Sequence, residues 1–343
     1  MSPTMALEDV RTYGYGPGGG LPLFVEPERP GSWESIDQVV SWFSAHRPEL
    51  DRLATDVGAV VLRGFPIHDT ADFNALVDGY PAPTFGYSGG ATPRVAIAGR
   101  AYEATRSPAG MQLKLHQEMA YLPNYPARLA FFCKTPPATG GETIIGDMRR
   151  VDAAIRPEFR ARVKEHGVFY GRNFRDPDWS CGDETLDSFH VPWTLAFATT
   201  DRHKAEADCD AMGLAWEWVD GSLSTSYRSR GFVDHPDTGQ EIWFNQIATQ
   251  SSTVKNLGSE KVLHYPEYYG DRPRPWDTRY GDGTPIDPDD VDSLYTLLDD
   301  AIVAFPWQHG DVMFVDNYNT AHGRNPYTGT RDVQVALLGG EVS

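Results

Sequence analysis

The chain has 343 residues and a formal net charge of −18, from 30 basic and 48 acidic side chains. Such a charge repels phosphate backbones and anionic lipid headgroups, so neither nucleic acid nor a membrane surface is an expected partner. No apolar run approaches the roughly 20 residues that a membrane span needs, and no signal-peptide pattern is present, so a cytoplasmic protein is predicted. Cys133, Cys181 and Cys209 have no Cys-x-x-Cys spacing, which argues against a disulfide framework or a thiolate zinc site.

The order of the predicted elements favours one mainly β domain. Residues 1–31 are rich in glycine and proline and predict an extended N-terminal arm without a regular element. Residues 32–343 contain no linker composition and predict a single domain with a mid-chain insertion at about 172–290. Many short strands with helices towards the N-terminus predict a β-sandwich or jelly-roll. In chain order, the predicted elements are a helix from Ser32 to 57 that restarts at Pro48, strand 59–62, helix 72–77, loop 81–108, strands 112–119, 127–132 and 142–145, helix 152–165, strand 167–170, helix 204–212, strands 216–219, 224–233 and 241–244, connection 266–290, helix 290–304, and strands 312–315 and 333–338.

Three histidines are followed two residues later by an acidic residue, a spacing that suits a metal site on a strand. Side chains at i and i+2 of a strand project to the same face, so both are able to bind one cation. The motif is not specific by itself, because about one or two matches arise by chance in a chain of this composition. The three pairs are His116/Glu118, His235/Asp237 and His309/Asp311.

The surrounding sequence favours the first of these pairs. The other two have turn compositions, with proline between histidine and acid in one and glycine in the other. The first pair instead belongs to an alternating pattern in which Leu113 and Leu115 face one way and four polar residues face the other. A polar strand face of this length predicts the lining of a pocket. Its members are Gln112, Lys114, His116 and Glu118.

Two residues near the C-terminal end extend the pattern. A 2-His-1-carboxylate metal site takes its third ligand from a distant strand and leaves three metal positions open. His322 stands just after the predicted strand 312–315, and Arg331 opens the last strand, where a guanidinium is able to bind a dicarboxylate bidentately. Each residue alone is more typical of an ordinary histidine or strand-end charge, whereas the ordered set is specific.

These residues give the chain a resemblance to the taurine dioxygenase and clavaminate synthase-like superfamily of non-haem Fe(II)/2-oxoglutarate-dependent oxygenases. The matching segments extend over residues 58–338. They are AVVLRGF at 59–65, LHQEMAY at 115–121, YPAR at 125–128, PPATGGETIIGD at 136–147, WFNQ at 243–246, GDVMFVDN at 310–317, HGR at 322–324, and Arg331.

The resemblance implies a double-stranded β-helix, or jelly-roll, core that uses Fe(II), 2-oxoglutarate and O2. It implies that His116, Glu118 and His322 are the metal ligands and the catalytic residues. It also implies that Arg331 and Thr143 bind the distal carboxylate of 2-oxoglutarate. Taken alone, Thr143 is typical of any β-strand.

The sequence differs from related enzymes at two positions, and these differences restrict the expected reaction and substrate. Taurine-type enzymes carry a second arginine four residues after the oxoglutarate arginine, but this chain has Val335 there, which argues against a sulfonate substrate. Related halogenases replace the acidic ligand with a small residue, so Glu118 argues against halogenation. Glu118 and the following Met-Ala-Tyr look most like clavaminate synthase and the amino-acid hydroxylases of peptide-antibiotic pathways.

The expected activity is hydroxylation of an unactivated C–H bond in an amino acid or an amino-acid-derived natural-product intermediate. This small-molecule substrate is either free or tethered to a carrier protein. A desaturase or cyclase of the same class remains an alternative, as does a metal-binding, cupin-like protein without redox chemistry. The candidate substrate contacts are Gln112, Lys114, Arg172, Asn245 and Gln246.

Overall fold

The computed structural model describes residues 7–15, 20–83, 96–105 and 107–339 of the chain. Strands predominate and helices flank them, so the predicted mainly β class with flanking helices is confirmed. The helices are α1 (Ile36–Val57), α2 (Thr70–Val77), α3 (Met148–Ala154), α4 (Pro157–His166), α5 (Glu184–Phe189), α6 (Trp193–Ala196), α7 (Arg202–Ala211), α8 (Val254–Leu257), α9 (Tyr265–Tyr269) and α10 (Pro288–Asp300), with a 3₁₀ helix at Glu260–His264. The strands are β1 (Val10–Gly14), β2 (Leu23–Pro27), β3 (Ala59–Leu62), β4 (Ala96–Ala98), β5 (Ala101–Glu103), β6 (Leu113–His116), β7 (Arg128–Thr135), β8 (Thr139–Gly140), β9 (Thr143–Asp147), β10 (Val168–Phe174), β11 (Ala215–Val219), β12 (Ser222–Ser229), β13 (Phe232–Asp234), β14 (Glu241–Trp243), β15 (Trp276–Tyr280), β16 (Val312–Asp316), β17 (Thr320–Arg324), β18 (Tyr327–Thr328) and β19 (Asp332–Leu338).

Two sheets frame the candidate site. An eight-stranded sheet has the order β1-β2-β3-β16-β7-β19-β5-β4, and a three-stranded sheet has the order β6-β17-β9. Leu115 of β6, Ile145 of β9 and Ala321 of β17 belong to the same buried core as Phe131 of β7. The two sheets therefore pack against each other. The predicted double-stranded β-helix stays a prediction.

The central strands of the eight-stranded sheet are buried on both faces, and successive side chains of a strand point to opposite sides. In β7, Leu129, Phe131 and Cys133 join the core shared with the three-stranded sheet. Ala130 and Phe132 pack instead into the core under α1 and α2. The strands β3 and β16 show the same alternation. A sheet covered on both sides fixes the register of its strands, since a slip of one residue would exchange the two faces.

The predicted insertion contains most of a separate antiparallel sheet. Its strands lie in the order β11-β12-β10-β15, with Arg172 of β10 opposite Thr225 of β12 and Trp276 of β15. The strand β15 and the helix α9 lie in the segment 266–290 or at its edge, where an irregular connection was predicted. Among the described residues, no helix has the length and apolar character required to cross a membrane.

The prediction that residues 1–31 lack regular structure was wrong. The strands β1 and β2 pair antiparallel, and β2 continues the eight-stranded sheet by pairing in parallel with β3. Phe24 and Val25 of β2 are fully buried. The glycine and proline content of the whole segment had obscured a short apolar strand between Pro22 and Pro27. Residues 1–6 and 16–19 of the predicted arm lie outside the described residues.

Helix boundaries differ from the predicted ones for reasons that lie in the local sequence. The helix α1 is capped by Ser35, whose side chain accepts a hydrogen bond from the amide of Gln38, and it continues through Pro48 without a restart. The predicted helix 152–165 is two helices, because Pro157 occupies the first turn of α4. The predicted loop 81–108 includes β4 and β5, while residues 84–95 and 106 lie outside the described part of the chain.

Two strands near the candidate site also differ from prediction. The predicted strand 112–119 is shorter, since β6 ends at His116 and Glu118 lies beyond it. His322 follows β16, as predicted, but it lies inside a further strand, β17, which the sequence did not predict. This strand runs Thr-Ala-His-Gly-Arg and lacks the β-branched alternation by which strands are recognised.

Candidate metal centre and oxoglutarate pocket

His116 and His322 face each other across two paired strands. They are direct partners in the antiparallel ladder between β6 and β17. Side chains at such positions have Cβ atoms about 4.5–5.5 Å apart. The centroids of the two imidazole rings are 4.5 Å apart, and the ring of Phe131 packs 5.1 Å from that of His322. The sheet therefore holds two imidazoles side by side, with an aromatic ring behind one of them.

Gly323 allows the two strands to approach this closely. A Cβ atom at this position would lie 2.3 Å from the carbonyl oxygen of Leu113 and 2.9 Å from that of Lys114. Both neighbours are backbone atoms of β6, which no change of rotamer can move. The glycine next to His322 is thus required by the packing of the ladder.

Glu118 joins the two histidines to form a compact cluster. One ligand atom from each of His116, Glu118 and His322 lies within 4.8 Å of the other two. The Nε2 atom of His322 is 3.3 Å from a carboxylate oxygen of Glu118. Glu118 and His322 are buried, while His116 is partly exposed. In the described part of the chain this is the one group of three or more His, Cys, Asp or Glu residues with such a geometry.

A hydrogen bond fixes the orientation of the His116 ring. Its Nδ1 atom lies 2.9 Å from the carbonyl oxygen of Lys114. A carbonyl oxygen only accepts, so Nδ1 carries the proton and donates it. The lone pair is therefore on Nε2. A carbonyl that fixes the tautomer in this way is the usual arrangement behind a metal-binding histidine.

The two rival histidine–acid pairs are bound elsewhere in the structure. His235 and Asp316 form a buried pair, with Nε2 of His235 3.0 Å from a carboxylate oxygen. The Nδ1 atom of His309 lies 2.7 Å from the carbonyl oxygen of Lys134, and the carboxylate of Asp311 accepts hydrogen bonds from Arg63. The structure therefore brings together the pair that its sequence context favoured.

Thr143 and Arg331 meet where the two sheets come together. The guanidinium of Arg331 donates from Nε to the carbonyl oxygen of Gly141 at 2.9 Å, and its Nη2 lies 3.5 Å from the hydroxyl of Thr143. The indole N–H of Trp307 donates to the same hydroxyl at 3.2 Å. A hydroxyl oxygen has two lone pairs and one proton. With both lone pairs engaged by these donors, the proton of Thr143 is directed at another acceptor.

Arg331 is a cation in a low-dielectric environment. Burial, and secondly the nearby Arg324, lower its pKa to about 10. A pKa of about 10 still leaves the guanidinium charged at neutral pH. Among the residues that the structure describes, no carboxylate lies within ion-pair distance of Arg331. An anionic ligand would supply the missing counter-charge.

Two of the predicted substrate contacts lie on or beside β6. The ammonium group of Lys114 forms an ion pair with Asp299 of α10, at 3.0 Å. The ammonium group is therefore directed at α10, and a substrate contact by Lys114 stays a prediction. The side-chain amide of Gln112, just before β6, donates to the side-chain oxygen of Asn325 at 3.4 Å.

The predicted contacts Asn245 and Gln246 are parts of a buried network. The amide of Asn245 donates to the carbonyl oxygen of Gly231 at 3.0 Å. The amide of Gln246 donates to the carbonyl oxygen of Gln117 at 2.6 Å. Both side chains thus hold main-chain segments around the cluster. They also line, with His116, a small internal cavity of about 10 Å³.

Arg172 belongs to β10, in the sheet of the insertion, and its side chain packs against aromatic rings. Its guanidinium is over the ring of Tyr121 at 5.6 Å and over that of Phe174 at 4.7 Å. Burial lowers its pKa. Arg172 also lines a cavity of about 900 Å³, whose walls include none of the three clustered residues. The large volume of this cavity is therefore no evidence that a reaction takes place in it.

Two residues of the site were missed by sequence reasoning. Trp307 stands in an unremarkable segment, and only the folded chain reveals its contact with Thr143. Asn317 was quoted only as part of a family motif, yet its side chain bonds both main-chain groups of Glu118. A contact between residues some 200 positions apart leaves no local pattern in the sequence.

The fold and the cluster define a class of enzyme that comparison with known families identifies. Residues 27–337 match the family described as "Taurine catabolism dioxygenase TauD, TfdA family". The chain belongs to this family and is an enzyme of the dioxygenase class. The superfamily resemblance predicted from the sequence is confirmed.

Two relatives share about a third of their residues with the chain over most of its length. A clavaminate synthase-like protein of Arabidopsis thaliana is 31% identical over 293 residues, which cover 84% of this chain and 83% of the relative. The dapdiamide synthesis protein DdaC of Enterobacter agglomerans is 31% identical over 303 residues, or 88% of each chain.

Solved structures of similar fold have much lower sequence identity. PvcB of Pseudomonas aeruginosa matches with a TM-score of 0.53 and 15% identity, covering 98% of this chain and 94% of PvcB. A second PvcB structure, described as an Fe, alpha-ketoglutarate dependent oxygenase from an isonitrile synthetic pathway, gives 0.51 and 16%, with the same coverage. AAD-2 in complex with Mn(II) and N-oxalylglycine gives 0.51 and 11%, covering 97% of this chain and 98% of AAD-2. At these identities the likeness concerns the fold.

We predict that Gly323→Ala disrupts the pairing of β6 with β17. The added methyl group meets backbone carbonyls, so the strands must separate, at a cost of about 1–3 kcal/mol in the free energy of unfolding. Chemical denaturation measures this loss. Gly110→Ala is the matched control, since a Cβ there meets nothing within 4 Å. Equal stability of the two variants would contradict the assigned role of Gly323.

Proposed function

We propose that the chain is an Fe(II)- and 2-oxoglutarate-dependent oxygenase that hydroxylates an unactivated C–H bond of an amino acid or an amino-acid-derived natural-product intermediate. The observation that carries this proposal is the cluster of His116, Glu118 and His322, whose ligand atoms lie within 4.8 Å of one another. The dioxygenase family to which the chain belongs supports the same reaction class.

The donor set of the cluster suits iron(II). Two imidazoles and one carboxylate on one side of a metal leave open positions for a cosubstrate and oxygen, as in non-haem iron oxygenases. His116 has its lone pair on Nε2, because its Nδ1 donates to the carbonyl oxygen of Lys114. The partial exposure of His116 leaves the cluster accessible from one side. In the proposed enzyme these three residues hold the metal.

The pocket around Arg331 suits one end of a dicarboxylate. A buried guanidinium supplies charge, and the hydroxyl of Thr143, oriented by Trp307, supplies a further donor. The two groups are in contact, and a guanidinium and a hydroxyl are both donors that suit a carboxylate. We propose that they bind the distal carboxylate of 2-oxoglutarate, whose other end would reach the metal.

Bound iron with 2-oxoglutarate supplies the oxidising chemistry, in which O2 is reduced, 2-oxoglutarate becomes succinate and carbon dioxide, and one oxygen atom enters a substrate C–H bond. The chain itself supplies placement and exclusion of water. Phe131 and the apolar core between the two sheets shield the back of the His322 ring from solvent.

The substrate class rests on chemistry and on relatives. Val335 replaces the arginine that taurine-type enzymes use for a sulfonate. The relative DdaC is named for dapdiamide synthesis, and the fold neighbour PvcB for an isonitrile pathway, which supports a role in natural-product biosynthesis. We propose Gln112 and Arg172 as substrate contacts, with the substrate free or delivered on a carrier protein.

The metal site is tested by removing one imidazole. His116→Ala is expected to lower the affinity for Fe(II) by at least on the order of 100-fold, the upper range for losing even an outer-sphere partner of a metal site. Anaerobic competition with a chromophoric chelator measures this. His309→Ala is the control, because it removes a histidine from a rival pair outside the cluster. Equal Fe(II) affinity of the wild type and His116→Ala would overturn the assignment.

The oxoglutarate pocket is tested by Arg331→Lys, which keeps the charge but removes the fork of donors. Loss of one charged hydrogen bond predicts a rise in KM for 2-oxoglutarate on the order of 10- to 100-fold, with kcat largely retained at saturation. Steady-state succinate formation gives both constants. Arg160→Lys on α4, where the guanidinium pairs with Asp152 and Glu241, is the matched control. An unchanged KM in Arg331→Lys would exclude the proposed contact.

A further inference from the structure

Glu118 lies where no strand ladder can position it. The strand β6 ends at His116, so the main chain of Glu118 has no partner strand. Metal-binding carboxylates need an outer set of hydrogen bonds that orients them. In this chain one side chain, 199 residues further along, makes two hydrogen bonds to the main chain of Glu118.

Asn317 provides both hydrogen bonds that a neighbouring strand would provide. The amide N–H of Glu118 donates to Oδ1 of Asn317 at 2.7 Å, and Nδ2 of Asn317 donates back to the carbonyl oxygen of Glu118 at 3.1 Å. The same Nδ2 also donates to the carbonyl oxygen of Pro126 at 2.8 Å. Asn317 is fully buried. The pairing has the reciprocal pattern of an antiparallel ladder.

The corner that carries Asn317 is itself firmly held. The carboxylate of the preceding Asp316 accepts hydrogen bonds from the amides of Tyr318 and Asn319, both at 3.0 Å. The same carboxylate accepts from the hydroxyl of Thr55 at 3.1 Å and lies 3.0 Å from Nε2 of His235. Four partners from three parts of the chain thus fix the position from which Asn317 reaches Glu118.

The backbone after Glu118 needs such a restraint. Met119 has a φ of +59°, in the left-handed region that costs a non-glycine residue roughly 1–2 kcal/mol. The residue before Glu118 is also fixed, because the side-chain amide of Gln117 donates to the carbonyl oxygens of Trp243 and Tyr318. Without Asn317, relaxation of the strained residue would move Glu118.

We propose that Asn317 is a positioning residue for the metal-binding carboxylate, acting through the main chain of Glu118 in place of a partner strand. This inference rests on the proposed metal site. It assigns to Asn317 the orientation of the carboxylate towards His116 and His322. Asp316 fixes the corner by its hydrogen bonds, and Asn317 fixes the main chain of Glu118 relative to that corner.

The test compares Asn317→Ala with Asn319→Ala. Asn319 is a matched control because it lies in the same corner, is 3% exposed, and donates to the carbonyl oxygen of Thr55 without touching Glu118. Three quantities are measured. They are the affinity for Co(II), the visible d–d absorption of bound Co(II), and the rate of hydrogen exchange of the Glu118 amide in the metal-free chain. Asn317→Ala is expected to weaken Co(II) binding about 10- to 100-fold, alter its spectrum and accelerate the exchange. Asn319→Ala should leave all three near the wild-type values.

Equal effects of the two substitutions, or an unchanged affinity and spectrum in Asn317→Ala, would overturn the proposal. If Asn317→Ala does not fold, Asn317→Asp replaces it, since the carboxylate still accepts from the Glu118 amide but cannot donate to the two carbonyls. Reduced Co(II) affinity in that variant supports the proposal, and wild-type affinity overturns it. Should the wild type itself bind no Co(II), the proposed metal site fails, while amide exchange still decides whether Asn317 holds Glu118.

Discussion

The site depends on the pairing of His116 with His322 across the ladder of β6 and β17. Because the two residues are direct partners, the hydrogen bonds of the sheet determine the separation of the imidazoles. Gly323 permits this approach by leaving room for the carbonyl groups of β6. The separation of the two imidazoles is therefore determined by the backbone of the ladder.

The eight-stranded sheet contributes the arginine of the candidate carboxylate pocket. Arg331 directly precedes β19 of the eight-stranded sheet, whereas Thr143 begins β9 in the three-stranded sheet. Their contact exists only where the two sheets pack together. The proposed metal ligands and the proposed carboxylate pocket thus lie beside one apolar core, with Phe131 against His322. Disturbing this core would affect both halves of the site at once.

The sequence predicted which residues belong to the site better than it predicted why they meet. The order of His116, Glu118, His322 and Arg331 along the chain was sufficient to indicate an iron oxygenase. The expected geometry, with histidine and acid on alternate positions of one strand, was wrong, because β6 ends before Glu118. Glu118 lies beyond the end of that strand, directly before Met119 with its left-handed backbone, and strand periodicity does not describe such a turn.

Other parts of the fold escaped prediction because their causes are non-local. Lys114 matched a polar strand face, but a carboxylate 185 residues away on α10 determines where its ammonium group points. The strand β17 has a composition that would not form a strand alone, and it is stabilised by pairing on both sides with β6 and β9. The apolar alternation of β3, β7 and β16 was readable because burial on both faces imposes it locally.

In the proposed reaction, the cluster couples the oxidation of 2-oxoglutarate to the hydroxylation of an amino-acid-derived substrate. The most direct measurement incubates the iron-loaded protein with 2-oxoglutarate under ¹⁸O2 and a panel of free and carrier-tethered amino acids, with mass spectrometry of succinate and product. We expect equal amounts of succinate and of a product that contains one ¹⁸O atom. A product formed without succinate, or no consumption of 2-oxoglutarate with any substrate, would contradict it.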